Sequence, residues 1–278
     1  MQITPHIYNM HIDDGAISHP GGSNNYFVGD PSGEMVLLDT GDHWREWTQA
    51  ILDYYDELGR PNISAILITH GHVDHIGGLD RVHEATGASV RCHPDLAEKL
   101  AKVLGSDEAI IPLESDEIIQ VAGITLRALF TPGHEVDHVC YHLPEDGVMF
   151  TGDTVLGASS TSVGDLSAYM KSLELLMGFE HSTVCPAHGP VVPPPKGEGL
   201  ILWQYDHRAR REQQVLDALR EGHATAEAIT TAIYPRDLKE GLRRSAQRNV
   251  STHLTKLGKE GIVEETPASF SLTESPPS

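Results

Sequence analysis

The sequence predicts an α/β domain followed by a small helical domain with a β wing, and three observations carry that expectation. Short β-branched runs alternate with amphipathic stretches in the first half, a proline-rich seam lies near residue 195, and the segment after it is helix-rich and locally basic. At 278 residues the chain has room for one large domain and one small one.

The α/β reading begins with MVLLDT, the amphipathic WREWTQAILDYYDELG, SAILITH, LDRVHEATG and ASVRCH. That rhythm describes strands buried on both faces, separated by helices and ending in functional loops. The later runs ITLRALFT, VCYHLP, GVMFTGD and STVCPAH have few long helices between them and predict a second, more antiparallel sheet. VVPPPKGEG, Val191 to Gly199, holds three consecutive prolines and two glycines, a composition that argues against regular helix or central strand and marks a boundary. The expected domains are residues 1–199 and 200–270, with 271–278 as a disordered tail. In the second domain HRARREQQVLDALREG, ATAEAITTAIY and the stretch from Leu238 to Leu257, closed by Gly258, read as three helices. GIVEETPASFSLTE reads as a hairpin, which completes the outline of a winged helix.

The formal net charge of −20 is unevenly spread. Residues 200–262 carry eleven Lys/Arg against eight Asp/Glu, while the rest of the chain has nine against 32 and so a charge of −23. The large domain therefore repels polyanions, and the basic part offers the one face for them. Cys92, Cys140 and Cys185 form no C-x-x-C pair, which predicts neither a disulfide framework nor a thiolate zinc knuckle but buried thiols in a reducing compartment. No apolar run approaches the eighteen or so residues of a membrane span, and no basic segment leads into one at the start, so a soluble cytoplasmic protein without a membrane partner is expected. Nothing in the sequence identifies an oligomeric interface.

The chemistry concentrates in THGHVDHIGG, Thr69 to Gly78. Ile66, Leu67 and Ile68 make a buried strand, and the polar cluster starts where the strand stops, at the carboxyl edge where α/β sheets place ligands. His70 and His72 share one side of an extended chain, Asp74 and His75 follow, and Gly71, Gly77 and Gly78 are expected to let the backbone turn tightly around them. Three imidazoles and a carboxylate in six residues would build a poor core, because each buried polar group needs its own partner. Chance would produce H-x-H-x-D-H in roughly one chain in two hundred of this composition. Three later loops add the same residue types, each after an apolar run and beside glycine: TPGH ending at His134, TGD ending at Asp153 and PAHG with His188. A metal cage is the economical explanation.

These residues resemble the metallo-β-lactamase superfamily, whose signature is T-H-x-H-x-D-H with a His, an Asp and a His on successive later loops. The resemblance covers about residues 3–195 and implies a four-layer αββα sandwich with the site along one edge. It implies one metal on His70, His72 and His134, a second on Asp74, His75 and His188, and Asp153 bridging them, with Asp74 and Asp153 as the carboxylates on which catalysis depends. LLDTG, ending at Gly41, matches the family's first block, in which Asp39 orients the loops rather than binding metal. Nitrogen and oxygen ligands without thiolate suit two zinc ions best and admit iron or manganese. Two such ions would lower the pKa of a bridging water and present hydroxide as the nucleophile. His138 has two readings, a hydrogen bond to a ligand or intermediate, or support from behind the ligands.

Within the superfamily, GDTVLG (Gly152 to Gly157), YMKSL (Tyr169 to Leu173), AHGP (Ala187 to Pro190) and HRARREQQVLDAL (His207 to Leu219) resemble the β-lactamase-like protein 2 subfamily, which carries a C-terminal winged helix. Relatives of that type include a single-strand-specific endoribonuclease and fungal thioesterases. Asp153 stands where the best-known lactamases have Cys, the glutathione-binding elements of glyoxalase II are not matched, and the helical insertion of RNase J-type nucleases has no room before His188. The leading expectation is hydrolysis of a small ester, thioester or lactone, with GAISHPGGSNN (Gly15 to Asn25) as a flexible flap and His19, Ser159, Ser160, Thr161 and Tyr169 as substrate contacts. The alternative is an endoribonuclease whose RNA is gripped by Arg208, Arg210, Arg211, Arg243, Arg244 and Arg248. A third reading is a non-catalytic, metal-sensing winged-helix DNA binder.

Overall fold

The structure, a computed structural model, describes residues 1–13, 15, 21–235, 237–266 and 269–272. The chain opens with β1 (Gln2–Thr4), β2 (Ile7–Ile12), β3 (Ser23–Gly29), β4 (Glu34–Leu38), α1 (Arg45–Glu57) and β5 (Asn62–Leu67). It continues with α2 (Val73–Ile76), α3 (Leu79–Thr86), β6 (Ser89–Cys92), α4 (Ala97–Leu104), β7 (Ile110–Pro112), β8 (Ile118–Val121) and β9 (Ile124–Phe130). Then come β10 (Val139–Leu143), β11 (Val148–Gly152), α5 (Leu166–Met177) and β12 (Thr183–Pro186). The C-terminal part holds α6 (Lys196–Arg220), α7 (Ala226–Ile233), α8 (Glu240–Lys259), β13 (Val263–Thr266) and β14 (Ser269–Leu272).

Two sheets face each other. The first runs β1 to β7 in chain order, antiparallel through β4 and parallel from β4 to β7. Its parallel half needs long crossovers, which α1, α3 and α4 supply. The second runs β12-β11-β10-β9-β8 and is antiparallel except between β11 and β12, where α5 makes the return. Val28, Val36, Leu38 and Leu67 of the first sheet pack against Leu126, Ala128, Tyr141 and Phe150 of the second. On the outer face of the first sheet Phe27, Leu37 and Ile66 meet Ile51 of α1, Leu79 and Val82 of α3 and Leu100 of α4. Outside the second, Leu129, Cys140 and Met149 meet Leu173 of α5 and Ile201 of α6. The result is four layers, helix, sheet, sheet, helix, as the resemblance implied. Side chains alternate between the two faces of each strand, so one sheet feeds two cores.

Two expectations change. The antiparallel start of the first sheet has little apolar signal, because β2 and β3 bury Asn9, Ser23, Asn24 and Asn25 beside their apolar residues. Ser23 to Asn25, expected in a flap, therefore lie in β3, and residues 14 and 16–20 fall outside the described residues. The seam at Val191 to Gly199 is not free of helix: α6 begins at Lys196 directly after the prolines and runs unbroken across residue 199. Proline is tolerated at a helix start, where its missing N–H would have had no intrahelical partner. Gly197 is present for space, since a Cβ there would meet the carbonyl oxygens of Ser182 and Val192.

The C-terminal module has its own core of Val215 and Leu219 from α6, Ile229 from α7, Val250, Leu254 and Leu257 from α8, and Val263 from the wing. The Thr225 hydroxyl caps α7 by accepting from Ala228 N at 3.1 Å. The last long helix passes Gly258 and ends at Lys259, with the chain turning at Gly261 (φ 71°). β14 reaches Leu272, and residues 273–278 of the expected tail lie outside the described residues.

A paired substitution tests the docking of α6. Gly197→Ala should cost about 1–3 kcal/mol in denaturant unfolding, the usual scale of overpacking. Gly199→Ala, two residues along the same helix with nothing within 4 Å of its added methyl, should be neutral or stabilising.

Candidate metal centre

The site forms where β4, β5, β9, β11 and β12 end. The chain leaves β5 at Leu67, keeps Ile68 buried, and delivers Thr69 to His72 as a loop before α2. Asp39, just past β4, holds a left-handed backbone (φ 57°) that sends its carboxylate under this loop. It accepts from Thr69 N and Thr69 Oγ1, each at 2.8 Å, and its Oδ2 lies 2.8 Å from His75 Nδ1. Gly77 and Gly78 do not turn the chain through left-handed conformations, as their φ values of −68° and −99° are open to any residue. They are needed for close approach, because a Cβ on Gly77 would meet His43 N and one on Gly78 the Thr40 carbonyl oxygen.

Two groups of ligand atoms result. His70, His72, His134 and Asp153 form one, and Asp74, His75 and His188 the other. In the first, His72 Nδ1 lies 2.9 Å from His70 Nε2 and 3.2 Å from His134 Nε2, so three ring nitrogens converge on one point. In the second, His188 Nε2 and His75 Nε2 lie 3.3 Å and 3.6 Å from Asp74 Oδ2. Asp153 stands between them: Oδ2 is 3.5 Å from His134 Nε2, while Oδ1 is 3.3 Å from His188 Nε2 and 3.7 Å from His75 Nε2.

This donor set fits divalent metal. His75 Nε2 and Asp153 Oδ1 are buried and make no hydrogen bond among the described residues, a costly state unless a cation completes it. The electrostatics ask for the same charge. Burial works against a protonated His75, yet Asp39 at its Nδ1, with Asp153 and Asp74 nearby, raises its pKa to about 10. His70 goes the other way: burial, and then the neighbouring imidazoles, hold it well below the ordinary range and keep it neutral as a metal ligand requires. Burial also opposes charge on Asp74, but the His188 hydrogen bond and the His75 and His188 charges pull its carboxyl well below the usual range.

The model of the Metallo-beta-lactamase superfamily matches residues 19–188, more than half of the chain. This chain belongs to that superfamily. A second model, the beta-lactamase associated winged helix domain, matches residues 225–270. An atrochrysone carboxyl ACP thioesterase from Paecilomyces divaricatus is 32% identical, over 94% of this chain and 82% of its own length. A beta-lactamase-like protein 2 homolog from Drosophila melanogaster is 32% identical, over 86% of this chain and 83% of its own. Among solved structures, a metallo-beta-lactamase family protein from Thermus thermophilus superposes with a TM-score of 0.71 at 25% identity, covering 97% of this chain and 99% of that one. Fold, clusters and relatives are together those of a metal-dependent hydrolase.

Around the superfamily's ligand loops the structure adds residues that sequence reasoning missed. Glu135 Oε1 lies 2.9 Å from His72 Nε2, and its only signal was its place next to His134. The Ser23 hydroxyl lies 2.8 Å from His188 Nδ1, and Asn24 Nδ2 donates to the carbonyls of Pro186 and Gly189, tying β3 to the last ligand loop. His138 is fully buried, with Nε2 accepting from Asp153 N at 3.1 Å and Nδ1 2.9 Å from Thr131 Oγ1. It therefore supports Asp153 from behind and does not face the opening. Tyr169, expected to touch substrate, is also fully buried; its hydroxyl donates to the Thr154 carbonyl at 2.7 Å. Thr161 is buried too, its Oγ1 3.0 Å from His134 Nδ1, whereas Ser159 and Ser160 are exposed beside it. His19 lies outside the described residues.

Arg208 changes role entirely. Expected on a phosphate-gripping face, it is 4% exposed, donates to the Thr161 carbonyl at 2.9 Å and lies over the Tyr169 ring. A helix of the C-terminal module thus holds the loop that holds His134. Arg211 is stacked on Tyr234 and Arg244 is paired with Glu240, which leaves fewer free cations than the sequence count implied. Among the described residues no helix is long and apolar enough to cross a membrane.

Asp39→Asn should leave the fold intact yet weaken metal binding about 10–100-fold, the usual effect of losing a partner behind a ligand. Competition against a chromophoric chelator measures it, and an unchanged affinity would show that Asp39 does not set the His75 ring.

Proposed function

We propose that this chain is a hydrolase with two divalent ions, zinc best suiting the donors, that cleaves a small thioester or related ester. The observation that carries the reading is Asp153, whose two oxygens face different ligand groups, a position from which it would hold both ions. When bound, such ions lower the pKa of water and draw charge from a carbonyl oxygen. His70, His72 and His134 would hold one ion and Asp74, His75 and His188 the other, with Asp39, Glu135, Ser23 and Thr161 fixing the rings. Ring orientation matters because a displaced nitrogen lone pair misplaces the reacting centre.

No side chain competes as nucleophile among the cysteines. Cys92, Cys140 and Cys185 are buried, and burial raises the thiols of Cys92 and Cys140 to about 12. A thioester, rather than RNA, is favoured by the −23 charge outside residues 200–262 and by the burial of Arg208. Thioesterase-named relatives that match most of this chain support the same bond.

The test is one panel of acyl thioesters, lactones and labelled single-stranded RNA, with metal-loaded protein. Thioester cleavage is expected, falling at least about 1,000-fold in Asp74→Ala and after chelation, with unchanged circular dichroism. Cleavage of RNA alone, lost in the same variant, would replace this reading with the nuclease one. Gel shift on duplex DNA at low salt should show no specific complex, and a specific one would favour the sensor reading.

A further inference from the structure

A cleft of about 640 Å³ lies between the loop 159–166 and α8 of the C-terminal module. We propose that it binds the phosphate-bearing tail of the substrate, the part of a phosphopantetheine-type thiol remote from the scissile bond. The inference deepens the thioesterase reading and rests on it.

One wall is the loop that serves the metal centre. Thr161 Oγ1 and the Ser162 carbonyl oxygen lie 3.0 Å and 2.8 Å from His134 Nδ1, while Ser159, Ser160 and Ser162 present exposed hydroxyls along the same loop. Thr161 and Ser162 thus belong both to the lining of the cleft and to the surroundings of His134. The opposite wall is α8, contributing Asn249, Thr252 and the cations Arg248, Lys256 and Lys259. Asp165 is the one acidic residue among the described residues of the lining. In a chain of net charge −20 this lining has three cations to one carboxylate, with hydroxyl donors beside them.

The three cations differ in readiness. Lys256 is engaged by Glu212 at 2.8 Å and Glu260 at 3.0 Å. Lys259 pairs with Asp165 across the cleft at 2.9 Å, but both side chains are about half exposed, and such pairs are weak and exchangeable. Arg248 is exposed, and its guanidinium donates to a neutral partner, Ser245 Oγ at 3.1 Å. The guanidinium fork matches two phosphate oxygens at once, which a lysine does not. A cleft of about 640 Å³ suits one tail, whereas a polynucleotide needs a continuous cationic track. The Asp165 carboxylate also accepts from Ala168 N at the start of α5, so releasing Lys259 leaves that carboxylate held.

Binding and turnover test the proposal separately, on metal-loaded full-length protein. Coenzyme A lacking its sulfur serves as the binding probe, so that thiolate on metal plays no part. Calorimetry should give one site, weakened roughly tenfold or more in Arg248→Ala, the scale of one lost charge-assisted hydrogen bond. Lys259→Ala should weaken it less, and metal content and melting temperature should hold. In turnover, Arg248→Ala should lower kcat/KM for an acyl coenzyme A, relative to the same acyl group on N-acetylcysteamine, by a similar factor through KM. An unchanged ratio with unchanged probe binding overturns the cleft proposal while leaving the thioesterase reading. No turnover of either thioester, with probe binding still lost in Arg248→Ala, overturns the thioesterase reading and keeps the anion site. Displacement of the probe by single-stranded RNA, tightening steadily with RNA length, overturns the single-tail proposal in favour of a polyanion track.

Discussion

The Asp39 carboxylate is the constraint on which the rest of the site depends. From one residue past β4 it takes the backbone N–H and hydroxyl of Thr69 and faces the inner nitrogen of His75, binding the ends of β4 and β5 to the start of α2. The left-handed backbone at Asp39 is a small local cost, met by three polar contacts in a buried place. With that knot tied, His70 and His75 face opposite ligand groups from one short stretch of chain, and His72 and Asp74 lie between them. His134, Asp153 and His188 arrive from other strand ends and have only to meet them.

The second organising element is α6, which belongs to two cores. Ile201 packs on the second sheet, and Val215 and Leu219 pack in the C-terminal module. Between them Arg208 reaches the Thr161 carbonyl, and Thr161 and Ser162 reach His134. A buried guanidinium without a carboxylate partner would be expensive, but here it gains a carbonyl and an aromatic face. This chain of contacts ties α6 to the loop beside His134.

Much of this was legible in the sequence for definable reasons. The seven candidate ligand positions stand at strand ends, where an apolar run stops and His or Asp appears beside glycine, so local pattern exposes them. The four layers were implied by the resemblance, and the strand rhythm agreed with them. What stayed hidden depends on contacts distant in sequence. Tyr169 and Arg208 look like surface or substrate residues until α5 and α6 are seen to bury them against each other. Ser23 reads as loop because its strand hides polar side chains among apolar ones, and Glu135, one acidic residue among many, is marked only by its place next to His134. The prolines before Lys196 read as a seam in composition, but a helix can begin right after proline, and α6 runs unbroken across residue 199.

That continuity has a mechanical side. A helix of twenty-five residues is about 37 Å long and resists bending, so the module is joined to the catalytic domain by a stiff rod rather than a hinge. Val215 and Leu219 in the core of the module, and Arg208 on the Thr161 carbonyl, lie on that one element. The rod is seated at its start, where Gly197 is wedged between the carbonyls of Ser182 and Val192.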